Sequence, residues 1–163
     1  MLKIWKFQIS LFGILFAAIL IEVGIIPLVW APVRIDFLIG MIIGQIIFVP
    51  FSQGFPFIIL SSIILQAFSG ARIGLIPLIY IAVFVIIDVL KNVIYLENIF
   101  TQALLGIFFY SLITSVTATV AGSRFLEDAV VPMVAGMGLT ALLTPVMVSI
   151  VGRLQAAYDV YGS

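Results

Sequence analysis

The sequence predicts an all-α integral membrane protein, a bundle of about six transmembrane helices forming a single domain over residues 1–163. Three observations carry this reading. Hydrophobic residues make up 64% of the chain and charged residues only 9%, whereas a soluble domain needs charge over much of its surface. The seven basic and seven acidic side chains fall almost entirely in short gaps between apolar runs. Those runs are long enough to be membrane helices, so the solvent of this chain is lipid.

Six apolar stretches follow one another at approximately Phe7–Trp30, Phe37–Phe51, Phe55–Phe68, Leu75–Leu90, Ile99–Ala121 and Val130–Val151. At a rise of about 1.5 Å per residue, the first, fifth and sixth cover a hydrocarbon core of about 30 Å. Lys3 and Lys6 precede the first run. That run is longer than the core of a signal peptide and no Ala-x-Ala site follows it, so it reads as a retained span. Only Ser52, Gln53 and Gly54 separate the second stretch from the third. Residues 37–68 are therefore either two short spans joined by a tight turn or one span with a broken, re-entrant end. Pro50, Gly54 and Pro56 favour the turn, because proline removes a donor and glycine permits a reversal. Two spans are expected.

Small residues mark the faces on which these helices should pack. Gly40 and Gly44 form a G-x-x-x-G pair in the second span. Ser111, Thr114, Ser115, Ala118 and Gly122 recur at helical spacing in the fifth, and Ala135, Gly138, Ala141, Pro145 and Ser149 in the sixth. Small side chains let lipid-solvated helices approach closely. The expected use is packing within this one bundle, with a homo-oligomer contact as the alternative.

Charge and composition exclude several functions. A net charge of zero offers nucleic acid no electrostatic footprint. The chain has no Cys and no His, which removes disulfides, thiolate chemistry, the commonest metal ligands and the usual general base. No nucleophile stands with a base, and no glycine-rich phosphate loop or metal cluster is visible, so neither an enzyme nor a cofactor is expected. Glu22 is the one carboxylate well inside a span, about 12 Å from its outer end at helical rise. An ionised carboxylate there costs roughly 2.5–3.5 kcal/mol, so it should be paired or protonated. Arg34 and Arg72 fall on the same side of the membrane and are its natural partners, either in a polar pocket or in a structural ion pair. Asp88 and Lys91, three residues apart, should meet at the end of the fourth span.

The densest run of unusual residues is Gln66-Ala67-Phe68-Ser69-Gly70-Ala71-Arg72-Ile73-Gly74-Leu75. A span ends on an amide, turns through Ser69-Gly70 at a helix C-terminus, and resumes after Gly74, which should allow close approach. Here the chain resembles the MreD family, small membrane proteins of bacterial rod-shape determination. In that family a span ends in a Leu-Asp-Leu-x-Ser-Gly-like turn followed by Leu-Gly. Arg34-Ile35-Asp36 likewise resembles the family's Arg-Pro-Asp or Arg-Pro-Asn lead-in to the second span. Gln66 stands where many members have Asp, and Ile35 where they have Pro. The resemblance implies a non-catalytic scaffold of the cell-elongation machinery in the bacterial inner membrane. It would bind a single-span MreC-type protein through helices and outward loops. Glu22, Arg34, Asp36, Gln66, Ser69, Gly70, Arg72 and Gly74 then form the candidate partner site or pocket.

The alternative is the substrate-binding membrane subunit of an energy-coupling-factor vitamin importer, whose six-helix architecture MreD-like proteins are thought to share. Those subunits dock through an Ala-x-x-x-Ala stripe, and here only Ala67 and Ala71 have that spacing, across the turn. With six spans, Lys3, Lys6, Lys91 and Arg153 share one side, and Arg34, Arg72 and Arg124 the other. The two lysines ahead of the first span place both termini in the cytoplasm. A reporter that works only in the cytoplasm should therefore be active when fused after Ser163, and silence there would invert the topology.

Overall fold

A computed structural model describes residues 2–25, 33–69, 74–121 and 130–158. All of its regular structure is helical: α1 (Leu2–Leu20), continued by a π-helical turn (Ile21–Ile25), α2 (Phe37–Phe48), α3 (Phe51–Ser69), α4 (Leu75–Leu90), α5 (Ile99–Ala121) and α6 (Val130–Tyr158). Four of these, α1 with its π turn, α3, α5 and α6, are long and apolar enough to cross a membrane.

The second helix organises the bundle. It has 12 residues, about 18 Å of rise, too short to span a bilayer alone. Residues Leu38 through Ile46 are all buried, as expected for a helix apolar on every side. It touches each of the other five helices, most closely α6. Gly40 and Gly44 make that approach: a Cβ on Gly40 would lie 2.8 Å from Met147 Cβ, and one on Gly44 2.9 Å from Val151 Cβ. Lower down, the Phe48 ring lies where a Cβ on Gly152 would be, 2.8 Å from its Cζ. Contacts therefore advance in step along both chains, so α2 and α6 are parallel.

α5 packs on α6 in the opposite direction, with Gly106 against Thr144 and Tyr110 against Gly136. Thr144 is thus held between a glycine of α2 and a glycine of α5. Of the stripes expected on α5 and α6, only Ala141 is buried among the described residues. On α6 the buried face is Gly136, Thr140, Ala141, Thr144, Met147, Val148 and Val151, while Gly138 and Ser149 are exposed. On α5 the packed face is Gln102, Leu105, Gly106, Phe109, Tyr110 and Ile113. Its Ser111 and Thr117 instead return their hydroxyls to their own helix, on Ile107 O at 2.7 Å and Ile113 O at 2.8 Å. Gly122 lies outside the described residues. A serine or threonine can satisfy itself in this way without a neighbouring helix, so its presence does not mark an interface.

The two spans expected in 37–68 are two helices, but the turn lies earlier than the composition implied. Val49 and Pro50 form it, and Ser52, Gln53, Gly54 and Pro56 belong to α3. Val49 is extended, at φ −126 and ψ 136, the conformation that a following proline imposes. The Pro50 carbonyl then accepts from Gln53 N at 2.9 Å and Gly54 N at 3.0 Å, which starts α3. Gly54 of α3 faces both Gln45 of α2 and Phe84 of α4, and Gln66 near the end of α3 meets Ile76 at the start of α4. Successive helices therefore alternate in direction. The Ser10–Tyr158 hydrogen bond, 2.8 Å, places the start of α1 beside the end of α6.

Polar groups at the helix ends are settled locally. Asn98 accepts the Phe100 N–H at 2.8 Å to open α5, and Gln102 Nε2 reaches back to the Leu96 carbonyl at 2.9 Å. Lys91 Nζ meets Asp88 Oδ1 at 2.6 Å, as the spacing predicts. In the same loop, the hydrogen bond to the Glu97 carboxylate raises the Tyr95 phenol above its ordinary pKa. Apolar side chains such as Trp5, Leu78, Phe100, Val131 and Leu142 cover the outside, as befits a surface bathed in lipid.

Gly44→Ala should lower the thermal midpoint in detergent, followed by circular dichroism, by the equivalent of about 1–3 kcal/mol of overpacking. Gly138→Ala, with nothing within 4 Å of the added carbon, should leave it unchanged.

Candidate functional site

At the end of the bundle where α2 begins, α2, α4 and α6 meet at Asp36, and α5 meets its near neighbour Arg34. Asp36 precedes the first turn of α2 and is 7% exposed. Its Oδ1 accepts the Ile39 N–H at 3.2 Å, a helix N-cap. Its Oδ2 accepts the Tyr80 hydroxyl from α4. Its own N–H donates to Thr140 Oγ1 of α6 at 3.1 Å. One residue earlier but one, the Arg34 carbonyl accepts the Tyr110 hydroxyl from α5 at 3.0 Å. Gly136 makes room for this crossing, since a Cβ there would overlap both the Tyr110 hydroxyl and the Arg34 carbonyl.

Glu22 joins the group. It stands on the π-helical turn that prolongs α1, a distortion that recurs at functional sites. It lies within electrostatic range of the Asp36 carboxylate, the Arg34 guanidinium and the Tyr80 and Tyr110 phenols. Arg34 itself is exposed and Glu22 half-buried. The expected pairing of Glu22 with Arg34 is thus seen as proximity. The outcome is a small polar patch with a buried, fully hydrogen-bonded base and an accessible rim of one acid and one guanidinium. That rim sets a carboxyl group and a guanidinium side by side on an otherwise apolar bundle.

The remaining candidates divide. Gln66 Oε1 accepts the Ile76 N–H at 3.2 Å and so caps α4 from the neighbouring helix. Gly74 adopts φ 86, the left-handed conformation that glycine alone enters freely. Nothing lies within 4 Å of its missing Cβ, so its role is that turn and not the close approach expected of it. Ser69 ends α3. Gly70 and Arg72 lie outside the described residues, as do Arg124, Glu127, Asp128 and Asp159. The structure thus brings Glu22, Arg34 and Asp36 together and sets Gln66 and Gly74 at the α3–α4 connection.

Sequence reasoning missed Tyr80, Tyr110, Thr140 and Gly136. A signal for two of them was present: Gly136 and Thr140, with Thr144, recur every four residues on α6, a stripe that competes with Ala135, Gly138, Ala141, Pro145 and Ser149. Tyr80 carried a weaker signal as the first polar side chain of an otherwise apolar helix. Among the described residues, no three metal-ligating side chains gather.

Fold and site together define the class: a helical, multi-pass membrane protein with a polar cluster at a bundle end. Compared with protein-family models, curated proteins and solved structures, the chain matches none.

Tyr80→Phe leaves a buried carboxylate oxygen one donor short and should cost about 1–3 kcal/mol in detergent unfolding. Tyr95→Phe, on an exposed loop, should cost less than about 0.5 kcal/mol. Combining Tyr80→Phe with Asp36→Asn should cost less than the sum of the two, because both act on one network.

Proposed function

We propose that this protein is a non-catalytic membrane scaffold of the bacterial cell-elongation machinery, in the inner membrane with both termini cytoplasmic. It binds a single-span MreC-type partner at the bundle end that carries Arg34, Glu22 and Asp36. The observation that carries this reading is the form of that cluster. Its buried members are all committed to holding helices together, while its rim offers a guanidinium and a carboxylate on an otherwise apolar bundle. An ionisable side chain within a membrane bundle marks a site of use by default. A rim of one acid and one base suits recognition of a peptide's own charges near the membrane surface. The Arg34-Ile35-Asp36 lead-in and the Ser69-Gly70 turn supply the likeness to MreD proteins.

Co-expression with an MreC-type protein and purification in detergent tests this. The partner should co-purify with the native chain, and Arg34→Ala combined with Arg72→Ala should reduce the recovered partner by tenfold or more, the equivalent of about 1.4 kcal/mol. Undiminished recovery after changing Glu22, Arg34, Gln66, Ser69 and Arg72 together would defeat the proposal. A vitamin-sized ligand recovered with the chain in place of a protein would favour the importer-subunit reading.

A further inference from the structure

The connection between α4 and α5, residues 91–98, begins at the end of α4 away from the Gln66 cap and plays no part in the scaffold reading. α4 has 16 residues, about 24 Å at helical rise, against a hydrocarbon core of about 30 Å. A helix that short draws at least one of its flanking connections into the membrane boundary. The side chains of 91–98 single out this one.

A connection solvated by water turns its large apolar side chains inward and leaves its charges hydrated. Here the arrangement is reversed. Val93 is 83% exposed and Phe100, in the first turn of α5, 75%; Tyr95 and Ile99 are exposed as well. Both charges of the segment are engaged by near neighbours, Lys91 by Asp88 at 2.6 Å and Glu97 by the Tyr95 hydroxyl at 2.8 Å. The Val93 and Ile94 N–H groups return to the Leu90 carbonyl at 2.9 and 2.8 Å, and Gln102 Nε2 holds the Leu96 carbonyl at 2.9 Å. Polar groups met by protein in this way suit a lipid surrounding, where water is scarce. The exposed apolar residues also continue two stripes that already face lipid. Val85, Val89 and Val93 follow one another at four-residue spacing off the end of α4, and Phe100, Leu104 and Phe108 do so along the start of α5.

We propose that the α4–α5 connection is docked on phospholipid: Val93, Ile99 and Phe100 enter the boundary between headgroups and acyl chains, and Tyr95 and the Lys91–Asp88 pair stand at headgroup level. Continuity with the two lipid-facing stripes selects lipid as the occupant, because the same acyl chains that cover Val89 and Leu104 reach Val93 and Phe100. Tyrosine and lysine at the rim fit that depth, each having an apolar stem and a polar tip. The contact anchors the end of α4, the helix that carries Tyr80 to Asp36.

Spin labelling of the full chain in vesicles of phosphatidylcholine and phosphatidylglycerol tests this. The chain has no cysteine, so one introduced by Val93→Cys or Phe100→Cys alone takes the label. Collisions with oxygen, which concentrates in lipid, are compared with those of a water-soluble nickel chelate, and Leu142→Cys, exposed midway along α6, gives the lipid reference. At both positions oxygen should relax the label more strongly than nickel does, as at the reference. Stronger relaxation by nickel at either position means water and overturns the proposal. Weak relaxation by both reagents at either position means that protein covers the connection, a second copy included, and overturns it as well. Should one labelled chain not fold, Ile99→Cys carries the same expectation and the same overturning results. No added partner enters the experiment, so its outcome is independent of the scaffold reading.

Discussion

Thr144 sits between two glycines, Gly40 of α2 and Gly106 of α5, and the bundle depends on that three-helix contact. In lipid the hydrophobic effect does not drive one apolar helix onto another, because the tails are as apolar as leucine. Association must come from close packing and from hydrogen bonds. Gly40, Gly44 and Gly106 bring backbones within reach of α6, and the Thr144 hydroxyl then satisfies itself on the Thr140 carbonyl at 2.7 Å. A helix of only 12 residues cannot hold its place in a bilayer by its own length. α2 holds it because five other helices surround it.

Close packing fixes how near α2 lies to α6, and the polar groups at its first end fix where it starts. Asp36 joins three elements with one side chain and one N–H: its own helix through Ile39, α4 through Tyr80 and α6 through Thr140. The neighbouring Arg34 carbonyl adds α5 through Tyr110. Burying a carboxylate is expensive unless its lone pairs are met, and here donors from two helices meet them. The residues that do so are therefore structural before they are functional. What remains for function is the rim, Arg34 and Glu22, presented by the buried part at a set position.

Much of the helix pattern was legible. Leu75–Leu90 and Ile99–Ala121 begin and end where the charge and glycine punctuation put them, because in a membrane the polar residues have few other places to be. The 49–56 region was misread because proline serves two purposes. Pro50 ends one helix and opens the next, whereas Pro56 continues a helix already begun, and composition does not separate these uses. Packing stripes were misread for a related reason. A serine that bonds its own helix and a threonine that braces another look alike in one dimension, so Ser111 drew attention that belonged to Thr140. In the candidate site, Glu22 and Arg34, expected on one side, lie within electrostatic range of each other. Tyr80, 44 residues from Asp36 in sequence, and Thr140, 104 residues away, could not be.

What the sequence determined by itself is the class of the protein and the run of its helices. Those follow from local quantities: the scarcity of charge, the length of each apolar run and the residues that begin and end a helix. Only the tertiary structure decided that the shortest apolar helix is the centre and that a capping aspartate is shared with two other helices. It also decided that Gln45 packs against Gly54 of the next helix. Each is a relation between segments far apart in the chain, set by which small residue lies opposite which large one, and no local pattern records that.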